Sequence, residues 1–400
     1  MMGNFERFVV SHPTGNTFVG ALLSQLSNQN QLEKFFTTIG AGEGANSLIS
    51  AFCGKKRQYD IPDKLISRQW VPEVARLLSK GNNQENKRRR VDLSYRALDK
   101  KVSNELGESN SQVLHSYEDG CSFSFLLAKE LGVQCSYELP IAHWATARRL
   151  LAEEAERYPE WEPTLESTRE PEEKLLRKEE ELRLADRITC PSQFVLDSIP
   201  LEVRQKTTCQ ISPFGSPPCE PVDFKRPKKN DTLKLLFVGS MSQRKGLADL
   251  FEAMKLLKGE PISLSILGQP SMPMEFYRKK FADFNYYPPS SNSKVREIMR
   301  MHDALILPSV VEGRALVQQE ALSCGVPIIV TPNTGGEDLI DEGNTGYLVP
   351  IRSPERVAEK VLCLLDSGES LVDKAEYCIN KAKAYSWSAY AHKIIEFNLN

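Results

Sequence analysis

Short runs of apolar residues alternate along the chain with stretches in which apolar residues recur at helical spacing. In the first half, strands are predicted at RFVVSHP, SQVLHSY, GVQCSYELP and RITCPS, and helices at GNTFVGALLSQLSNQ and CSFSFLLAKEL. In the second half, strands are predicted at LKLLFVGS, ISLSILG, ALILPS and VPIIVTP, and helices at GLADLFEAMKLLKG, NSKVREIMRMH and ALVQQEALSCG. Continuous apolar strands separated by amphipathic helices are typical of parallel sheets covered on both faces. The pattern therefore predicts an α/β fold with two such sheets.

The boundary between the two series falls at residues 216–232, which are rich in proline and charge. We expect this segment to link a domain at 1–215 to a domain at 233–385. A chain of 400 residues is also longer than one core usually supports. The charge-dense stretch at 153–187 is predicted to form one or two solvated helices.

Composition narrows the functional classes. The net charge is −2, which argues against a nucleic-acid binder that works through bulk charge. The basic run Lys87–Arg90 is interpreted as a solvated loop, with a nuclear signal or an anionic membrane contact as alternatives. The nine cysteines lack metal-ligand spacing and are expected to be reduced thiols, mostly buried. No signal peptide or membrane span is recognisable, so a cytoplasmic protein is expected.

Ligands of doubly wound sheets bind outside the carboxyl ends of the strands, so the loops at those ends are the candidate sites. In FVGSMSQRKGLADL a strand ends at Gly239 and a helix begins near Gly246, which puts Arg244 and Lys245 just before a helix N-terminus. Free N–H groups and the helix dipole favour anions there. The loop is therefore either a diphosphate site or a surface loop with incidental basic residues.

The stretch PSVVEGRALVQQEALSCGVPIIV holds two carboxylates eight positions apart, between two apolar runs. Glu312 is predicted on the loop after a strand, and Glu320 shares a helical face with Leu316 and Cys324. Burying a carboxylate is costly unless a partner satisfies it, and the two hydroxyls of a ribose would do so. The alternative is a glutamate at the edge of the helix–sheet contact.

Two further loops carry glycine at predicted strand ends. Gly335 and Gly336 in TPNTGGEDLI allow close backbone approach, and Glu337 is predicted to open a helix. In SHPTGNTF, Gly15 and the adjacent Asn16 would face a cleft between the domains, although a plain turn explains a lone glycine equally well.

Taken together, these residues resemble the retaining glycosyltransferases of family 4, which have the GT-B fold. The E-x7-E pattern from Glu312 to Glu320 is accompanied by further signals, which in chain order are ADRITCPSQF, FVG…RKG, LILPSVVEG, GNTGYLVP and YSWSAYAHKIIEF. The resemblance runs from about residue 180 to the end, and the first half matches in layout only. It implies two Rossmann-like domains facing a central cleft, with a final helix at about 386–400 that completes the first domain.

Carried over position by position, the resemblance implies a nucleotide-sugar site in the second domain. Lys245, with Arg244, would bind the diphosphate, Glu320 would hold the ribose, and Glu312 would lie against the donor sugar. The backbone at 313–316 would cap the phosphates. The implied donor-binding set is Gly239, Ser240, Arg244, Lys245, Gly268, Glu312, Gly313, Arg314, Ala315, Leu316 and Glu320.

The chain departs from the family pattern in three places. Ser240 stands where the family often has Arg, and Arg314 is either a contact to an anionic group or a solvent-facing side chain. The histidine that the family often places near the reaction centre is replaced by Glu138 or by His143 a few residues later. Catalysis is accordingly assigned to Glu312, Lys245 and Arg244, with His143 as a further candidate.

The resemblance also implies retention without an obvious protein nucleophile and, since the chain has no D-x-D motif, no metal and no cofactor. The expected acceptor is a glycan or lipid-linked molecule of polysaccharide or glycoconjugate synthesis, and contact with the inner face of the membrane stays open. A nucleotide-sugar epimerase or hydrolase of the same fold is the nearest alternative. A non-catalytic relative that regulates a partner is another.

Overall fold

The computed structural model describes residues 6–54, 57–79, 84–165, 169–219, 232–366 and 371–400. Strands and helices alternate along the described chain and build two large parallel sheets, as the apolar pattern predicts. The predicted linker at 216–232 lies mostly outside the described residues, and the predicted domain boundaries stay a prediction.

The first sheet has seven parallel strands in the order β5-β2-β1-β6-β7-β8-β9. Two further strands, β3 and β4, form a small parallel pair. The bounds are β1 Phe8–Ser11, β2 Leu32–Thr37, β3 Ala41–Glu43, β4 Gln58–Pro62, β5 Ile66–Arg68, β6 Val113–Tyr117, β7 Gln134–Glu138, β8 Arg187–Cys190 and β9 Thr208–Ile211.

The second sheet has six parallel strands in the order β12-β11-β10-β13-β14-β15. In each sheet the strand order reverses next to the first strand, between β1 and β6 in one sheet and between β10 and β13 in the other. Doubly wound sheets open a ligand crevice at such a point. The bounds are β10 Leu233–Val238, β11 Ile262–Leu267, β12 Asn285–Tyr287, β13 Ala304–Leu307, β14 Ile328–Val330 and β15 Gly346–Leu348.

Sixteen α-helices lie in the described part of the chain and cover both faces of each sheet. They are α1 Thr17–Asn28, α2 Ser47–Cys53, α3 Trp70–Leu78, α4 Gln84–Leu106, α5 Ser122–Leu131, α6 Trp144–Arg157, α7 Glu172–Leu184, α8 Gln193–Ser198, α9 Leu201–Arg204, α10 Leu247–Leu256, α11 Met274–Lys280, α12 Asn292–Met299, α13 Leu316–Ser323, α14 Pro354–Asp366, α15 Leu371–Lys383 and α16 Trp387–Leu399.

Alternation along β1 shows how the first sheet is buried. Phe8 and Val10 pack into a cluster on one face, and Val9 packs into another cluster on the opposite face. The last helix, α16, joins the first of these clusters through Tyr390 and Ile394 and packs on α1, far from it in sequence. The second sheet has one continuous core around β10 and β13.

Two interpretations of the charged segments were wrong. The run Lys87–Arg90 lies within α4, not in a loop. The stretch at 153–187 is not merely solvated, because Glu154 and Glu181 are fully buried and Trp161 is inserted into the core of the second sheet. Trp161 lies on a 3₁₀ helix, Pro159–Thr164, that follows α6 of the first half of the chain.

All nine cysteines are free thiols, and six of them are buried, as expected. Among the described residues, no helix combines the length and the apolar character needed to cross a bilayer.

Candidate active site

A cavity of about 540 Å³ opens where the carboxyl ends of the two sheets face each other. Its walls come from the loops after β1, β6 and β7 on one side and from the loops after β10 and β13 on the other, so it lies at the reversal point of both strand orders. The lining residues are His12, Pro13, Thr14, Asn16, Phe18, Tyr95, Tyr117, Glu118, Pro140, Phe214, Val238, Gly239, Lys245, Glu312, Arg314, Ala315, Leu316 and Val317.

The loop that carries Arg244 and Lys245 is a single 3₁₀ turn, Gln243–Lys245, between β10 and α10. Gly246 follows at φ 74°, a left-handed conformation that favours glycine. A Cβ at this position would also lie 2.0 Å from the Pro308 carbonyl oxygen. The turn and the end of β13 therefore approach as closely as they do only because residue 246 has no side chain.

Hydrogen bonds of Gln243 hold the 3₁₀ turn in place. Its side-chain amide donates to Glu154 Oε2 at 2.6 Å and to Asp249 Oδ2 at 2.8 Å, and its Oε1 accepts from the Ala248 N–H at 2.8 Å. Its backbone N–H donates to Thr164 Oγ1 at 3.1 Å. Since Glu154 and Thr164 belong to the segment that follows β7, the basic turn is held from both halves of the chain.

Glu312 brings the two cations together. One of its oxygens, Oε1, lies 2.6 Å from Arg244 Nη1 and 2.5 Å from Lys245 Nζ. The Arg244 guanidinium also donates to the Val311 carbonyl at 3.0 Å. Burial lowers the pKa of Lys245, and the neighbouring Arg244 adds to that effect, whereas the Glu312 carboxylate opposes it.

The loop after β13 is clamped against the first half of the chain. A Cβ on Gly313 would meet the Pro140 carbonyl oxygen at 1.8 Å, and the Ser192 hydroxyl donates to the Gly313 carbonyl at 2.6 Å. The Ala142 N–H contacts the Glu312 carbonyl at 3.4 Å. Glycine is required at 313 because two backbones meet there, and the same contacts fix the position of Glu312.

Glu320 lies on α13, one turn beyond the cavity-lining Leu316, and is half-buried. Burial raises the pKa of its carboxyl group, and Arg296 reduces that shift. Within the described residues, no hydrogen bond or ion pair engages the Glu320 carboxylate. Cys324, on the same helical face, is buried as the spacing predicts.

The strand-end residues Gly239, Ser240 and Gly268 lie beside each other. A Cβ on Gly268 would lie 1.7 Å from the Gly239 carbonyl oxygen, so this glycine serves the close approach of two strand ends. The Ser240 hydroxyl lies 3.3 Å from the Ser242 hydroxyl and supplies no cation. The two basic residues of the turn are therefore the only side-chain cations in the described loop between β10 and α10.

Arg314 does not face solvent, and the anionic group that it contacts is a carboxylate of the chain itself. The side chain is buried and pairs bidentately with Asp338, at 2.7 and 3.1 Å, while its Nε donates to Gln319 at 3.0 Å. Its Nη1 also donates to the Gly335 carbonyl at 3.0 Å. The guanidinium thus joins the loop after β13 to the loop after β14.

The loop after β14, which contains Gly335 and Gly336, packs closely against the loop after β13. A Cβ on Gly335 would lie 1.9 Å from the Gly313 carbonyl oxygen, and one on Gly336 would lie 2.1 Å from Gln318 Oε1. Glu337 opens a single 3₁₀ turn, Glu337–Leu339. These glycines therefore meet the protein's own backbone and side chains, and they hold the Glu312 loop from the other side.

The predicted acceptor-side residues divide into two groups. Asn16 lines the cavity, and Gly15 precedes it on the same loop. Glu138 is buried and accepts from the Tyr390 hydroxyl at 2.7 and 2.8 Å, and His143 is buried with its Nε2 2.9 Å from Glu179. The structure places both of these side chains in other contacts, outside the cavity lining.

His12, which the sequence reasoning missed, occupies the first-sheet side of the cavity. Its Nδ1 lies against both the carbonyl and the N–H of Thr14, the latter at 3.1 Å, and its Nε2 faces the Asn16 amide nitrogen at 3.4 Å. Burial lowers the pKa of His12 to about 4, so the ring is neutral at physiological pH. Its place at the carboxyl end of the first predicted strand, RFVVSHP, was the available signal.

Comparison with known proteins gives matches to the second half of the chain. Residues 220–385 match the family model described as "Glycosyl transferases group 1". A D-inositol 3-phosphate glycosyltransferase of Pseudarthrobacter chlorophenolicus is 31% identical over 176 residues, which is 41% of this chain and 42% of that protein. One from Paenarthrobacter aurescens is 27% identical over 177 residues, 42% and 43% of the two chains. The matches thus span about two-fifths of the curated relatives.

Solved structures extend the likeness to the whole fold. Sucrose-phosphate synthase from Thermosynechococcus elongatus superposes with a TM-score of 0.66 at 15% identity and covers 97% of both chains. The Anabaena protein HepE, solved in complex with UDP, superposes with a TM-score of 0.60 at 11% identity, over 98% of this chain and 99% of that chain. The predicted GT-B architecture is confirmed, whereas membership of family 4 stays a prediction.

Proposed function

We propose that this chain transfers a sugar from a nucleotide-sugar donor to a hydroxyl group of an acceptor, with retention at the sugar carbon, because residues 220–385 match the group 1 glycosyltransferase model. The observation that carries the proposal is the pairing of Arg244 and Lys245 with Glu312 at the reversal point of both sheets. Two cations share one carboxylate there, which leaves a net positive site at a cavity wall.

The leaving nucleoside diphosphate needs positive charge where its own negative charge develops. Arg244 and Lys245 supply that charge, and the backbone at 313–316 lies on the same wall before α13. Phosphate oxygens compete with Glu312 for the two cations. A bound donor therefore releases the Glu312 carboxylate towards the sugar.

Glu320 completes the donor site. Its carboxylate lacks a described partner, and burial already penalises its charged form. A ribose offers two adjacent hydroxyl donors that satisfy both oxygens. Binding a nucleotide then removes a cost that the free protein carries.

On the opposite wall, His12 presents Nε2 next to the Asn16 amide nitrogen, a donor that favours an unprotonated Nε2. We assign this nitrogen to the acceptor hydroxyl, as the group that accepts its hydrogen bond and orients it. Tyr117, whose ring packs edge-on to His12 at 4.6 Å between centroids, holds the imidazole in place.

The proposal includes independence from metal ions and from cofactors. Arg244 and Lys245 provide the charge that a divalent cation would otherwise supply to a diphosphate. The acceptor is proposed to be a glycan or a lipid-linked molecule of glycoconjugate synthesis, handled in the cytoplasm or at the inner face of the membrane. The inositol phosphate named for the curated relatives and the UDP bound by HepE are the first acceptor and nucleotide to test.

The test is release of nucleoside diphosphate from a panel of UDP-, GDP- and ADP-sugars, with and without acceptors, first in EDTA and then with a divalent metal ion in place of EDTA. Acceptor-dependent release that Lys245→Ala abolishes supports the proposal, with Lys255→Ala as the matched exposed control. Equal release without any acceptor indicates a hydrolase, and tight binding without turnover on any acceptor indicates a regulatory relative. Activity that requires added divalent metal refutes metal independence.

A further inference from the structure

An exposed apolar face lies on the first half of the chain, away from the cavity. Seven of the fifteen large hydrophobic side chains that are exposed in the described structure fall between residues 48 and 93, a concentration that chance scatter does not explain. They are Leu48, Phe52, Trp70, Val71, Leu77, Leu78 and Leu93, with exposed fractions from 53 to 78%. We call the six of these residues that lie on α2 and α3 the apolar face.

The apolar face contains a shallow hollow of about 530 Å³ between α2 and α3. Apolar side chains alone form its walls, namely Phe52, Trp70, Val71, Val74, Ala75 and Leu78. None of these residues lines the candidate active-site cavity. The feature is therefore separate from the donor site.

Buried ion pairs hold α3 so that it presents this face. Glu73 is buried and pairs with Arg57 at 2.9 Å and with Arg76 at 2.7 Å, and the Ser94 hydroxyl of α4 donates to it at 3.1 Å. Burial raises the pKa of Glu73, but the hydrogen bonds from Arg76 and Arg57 outweigh it and bring the pKa to about 2. The helix is thus fixed through its polar side, with its apolar side outward.

The basic run of α4 adjoins this face. Gln69 contacts Ala97 and Glu73 contacts Ser94, so α3 and α4 run antiparallel. Continuing that register by one helical turn brings Leu77 beside Arg90. Lys87 and Arg89 follow at the exposed start of α4, and the ion pair of Arg89 with Glu85 is long, at 3.9 Å, and solvent-exposed.

We propose that the apolar face and the Lys87–Arg90 run form a docking surface for an anionic lipid bilayer. Aromatic and aliphatic side chains beside basic residues are the combination that binds a membrane interface without crossing it. A second copy of the chain fits less well, because a two-fold interface would bring two such basic runs together. The proposal uses no cavity residue and stands whether or not the chain is a transferase.

The experiment is co-sedimentation of the full chain with vesicles of phosphatidylcholine alone or mixed with phosphatidylglycerol, at low and high salt. We expect binding to the mixed vesicles, weakened by salt. Lys87→Gln with Arg89→Gln should reduce the partition coefficient by about fivefold per charge removed. Phe52→Ser with Leu78→Ser should abolish it, and Leu176→Ser, an equally exposed apolar side chain on α7, should leave it unchanged.

Trp70 supplies a second readout. It is 53% exposed, whereas Trp161 is buried and Trp144 and Trp387 are half-buried. Lipids brominated on their acyl chains should quench a fraction of the fluorescence that disappears in Trp70→Phe. Circular dichroism and the thermal unfolding midpoint of the same variants report whether the fold is intact.

Three results overturn the proposal. The first is absence of sedimentation with the mixed vesicles at low salt. The second is binding that Phe52→Ser with Leu78→Ser does not change. The third is a dimer of the wild-type chain that the same double substitution dissociates, which would assign the apolar face to a second copy.

Discussion

Because Arg244 and Lys245 share the Glu312 carboxylate, removing its charge should lower the stability of the free protein and raise its affinity for a nucleoside diphosphate. Glu312→Gln keeps the shape of the side chain but leaves Arg244 and Lys245 close together without a counter-charge. The exposed fractions of the side chains are 25% for Arg244, 12% for Lys245 and 11% for Glu312. Exposed ion pairs contribute up to about 1 kcal/mol, and breaking a buried one costs about 3–5 kcal/mol, so these partly buried pairs fall between the two. We expect the free energy of unfolding to fall by about 2 kcal/mol.

The same substitution should tighten the binding of a nucleoside diphosphate. Its phosphates no longer compete with a carboxylate, so the lost 2 kcal/mol returns on binding, which corresponds to a dissociation constant about 30-fold lower. Sugar transfer should nevertheless fall, because Glu312 no longer reaches the donor sugar. Chemical denaturation and calorimetric titration with UDP and GDP measure both quantities.

Glu320→Gln is the matched control, since its carboxylate has no paired cation among the described residues. It should weaken nucleotide binding and leave the stability of the free protein unchanged or raised. If Glu312→Gln binds the diphosphate more weakly than the wild type, or if the two variants shift affinity in the same direction, the assignment of the two carboxylates is wrong.

Three further predictions concern the turn and the opposite wall. Nucleoside diphosphate affinity should decrease as the pH rises through the pKa of Lys245, which burial places below its usual value, and Lys245→Arg should remove that decrease because arginine stays charged. The free energy of unfolding should fall as the pH drops from about 6.5 towards 4, because His12 binds a proton in the unfolded chain but not in the folded one; His12→Asn should flatten this slope by up to about 1.4 kcal/mol per pH unit. Gln243→Ala should lower stability by about 3 kcal/mol, since Glu154 and Asp249 each lose a buried donor and the Ala248 N–H loses its acceptor; a denaturation curve unchanged from the wild type would contradict this.

Most of the second sheet could be predicted from the sequence because its strands are buried on both faces. β10, LKLLFV, and β13, ALIL, are continuous apolar runs, and their buried positions follow directly. Strands that lack this property were missed. The edge strands β9, TCQI, and β12, NYY, are partly exposed, and the inner strand β2, LEKFFT, has two charged residues near its start. The beginning of α4 was misread as a loop because its buried residues, Leu98, Val102 and Leu106, come only in its last turns.

The parts of the candidate site that follow directly from the positions of the strand ends could be predicted from the sequence. The side-chain contacts between residues far apart in the sequence could not. The turn of Arg244 and the loop of Glu312 follow strand ends, so their meeting at one crevice could be expected. No local sequence pattern indicates that Arg314 pairs with Asp338, or that Gln243 donates to Glu154, 89 positions away, because these contacts form only in the tertiary structure.

The most direct test of the donor-site account is calorimetric titration of the wild type and of Lys245→Ala with a nucleoside diphosphate and its monophosphate, in EDTA. The account predicts that one diphosphate binds without metal, that its monophosphate binds much more weakly, and that Lys245→Ala removes most of the difference. Equal affinity for the two nucleotides in the wild type, or a difference that survives Lys245→Ala, would contradict a diphosphate site at the Arg244–Lys245 turn.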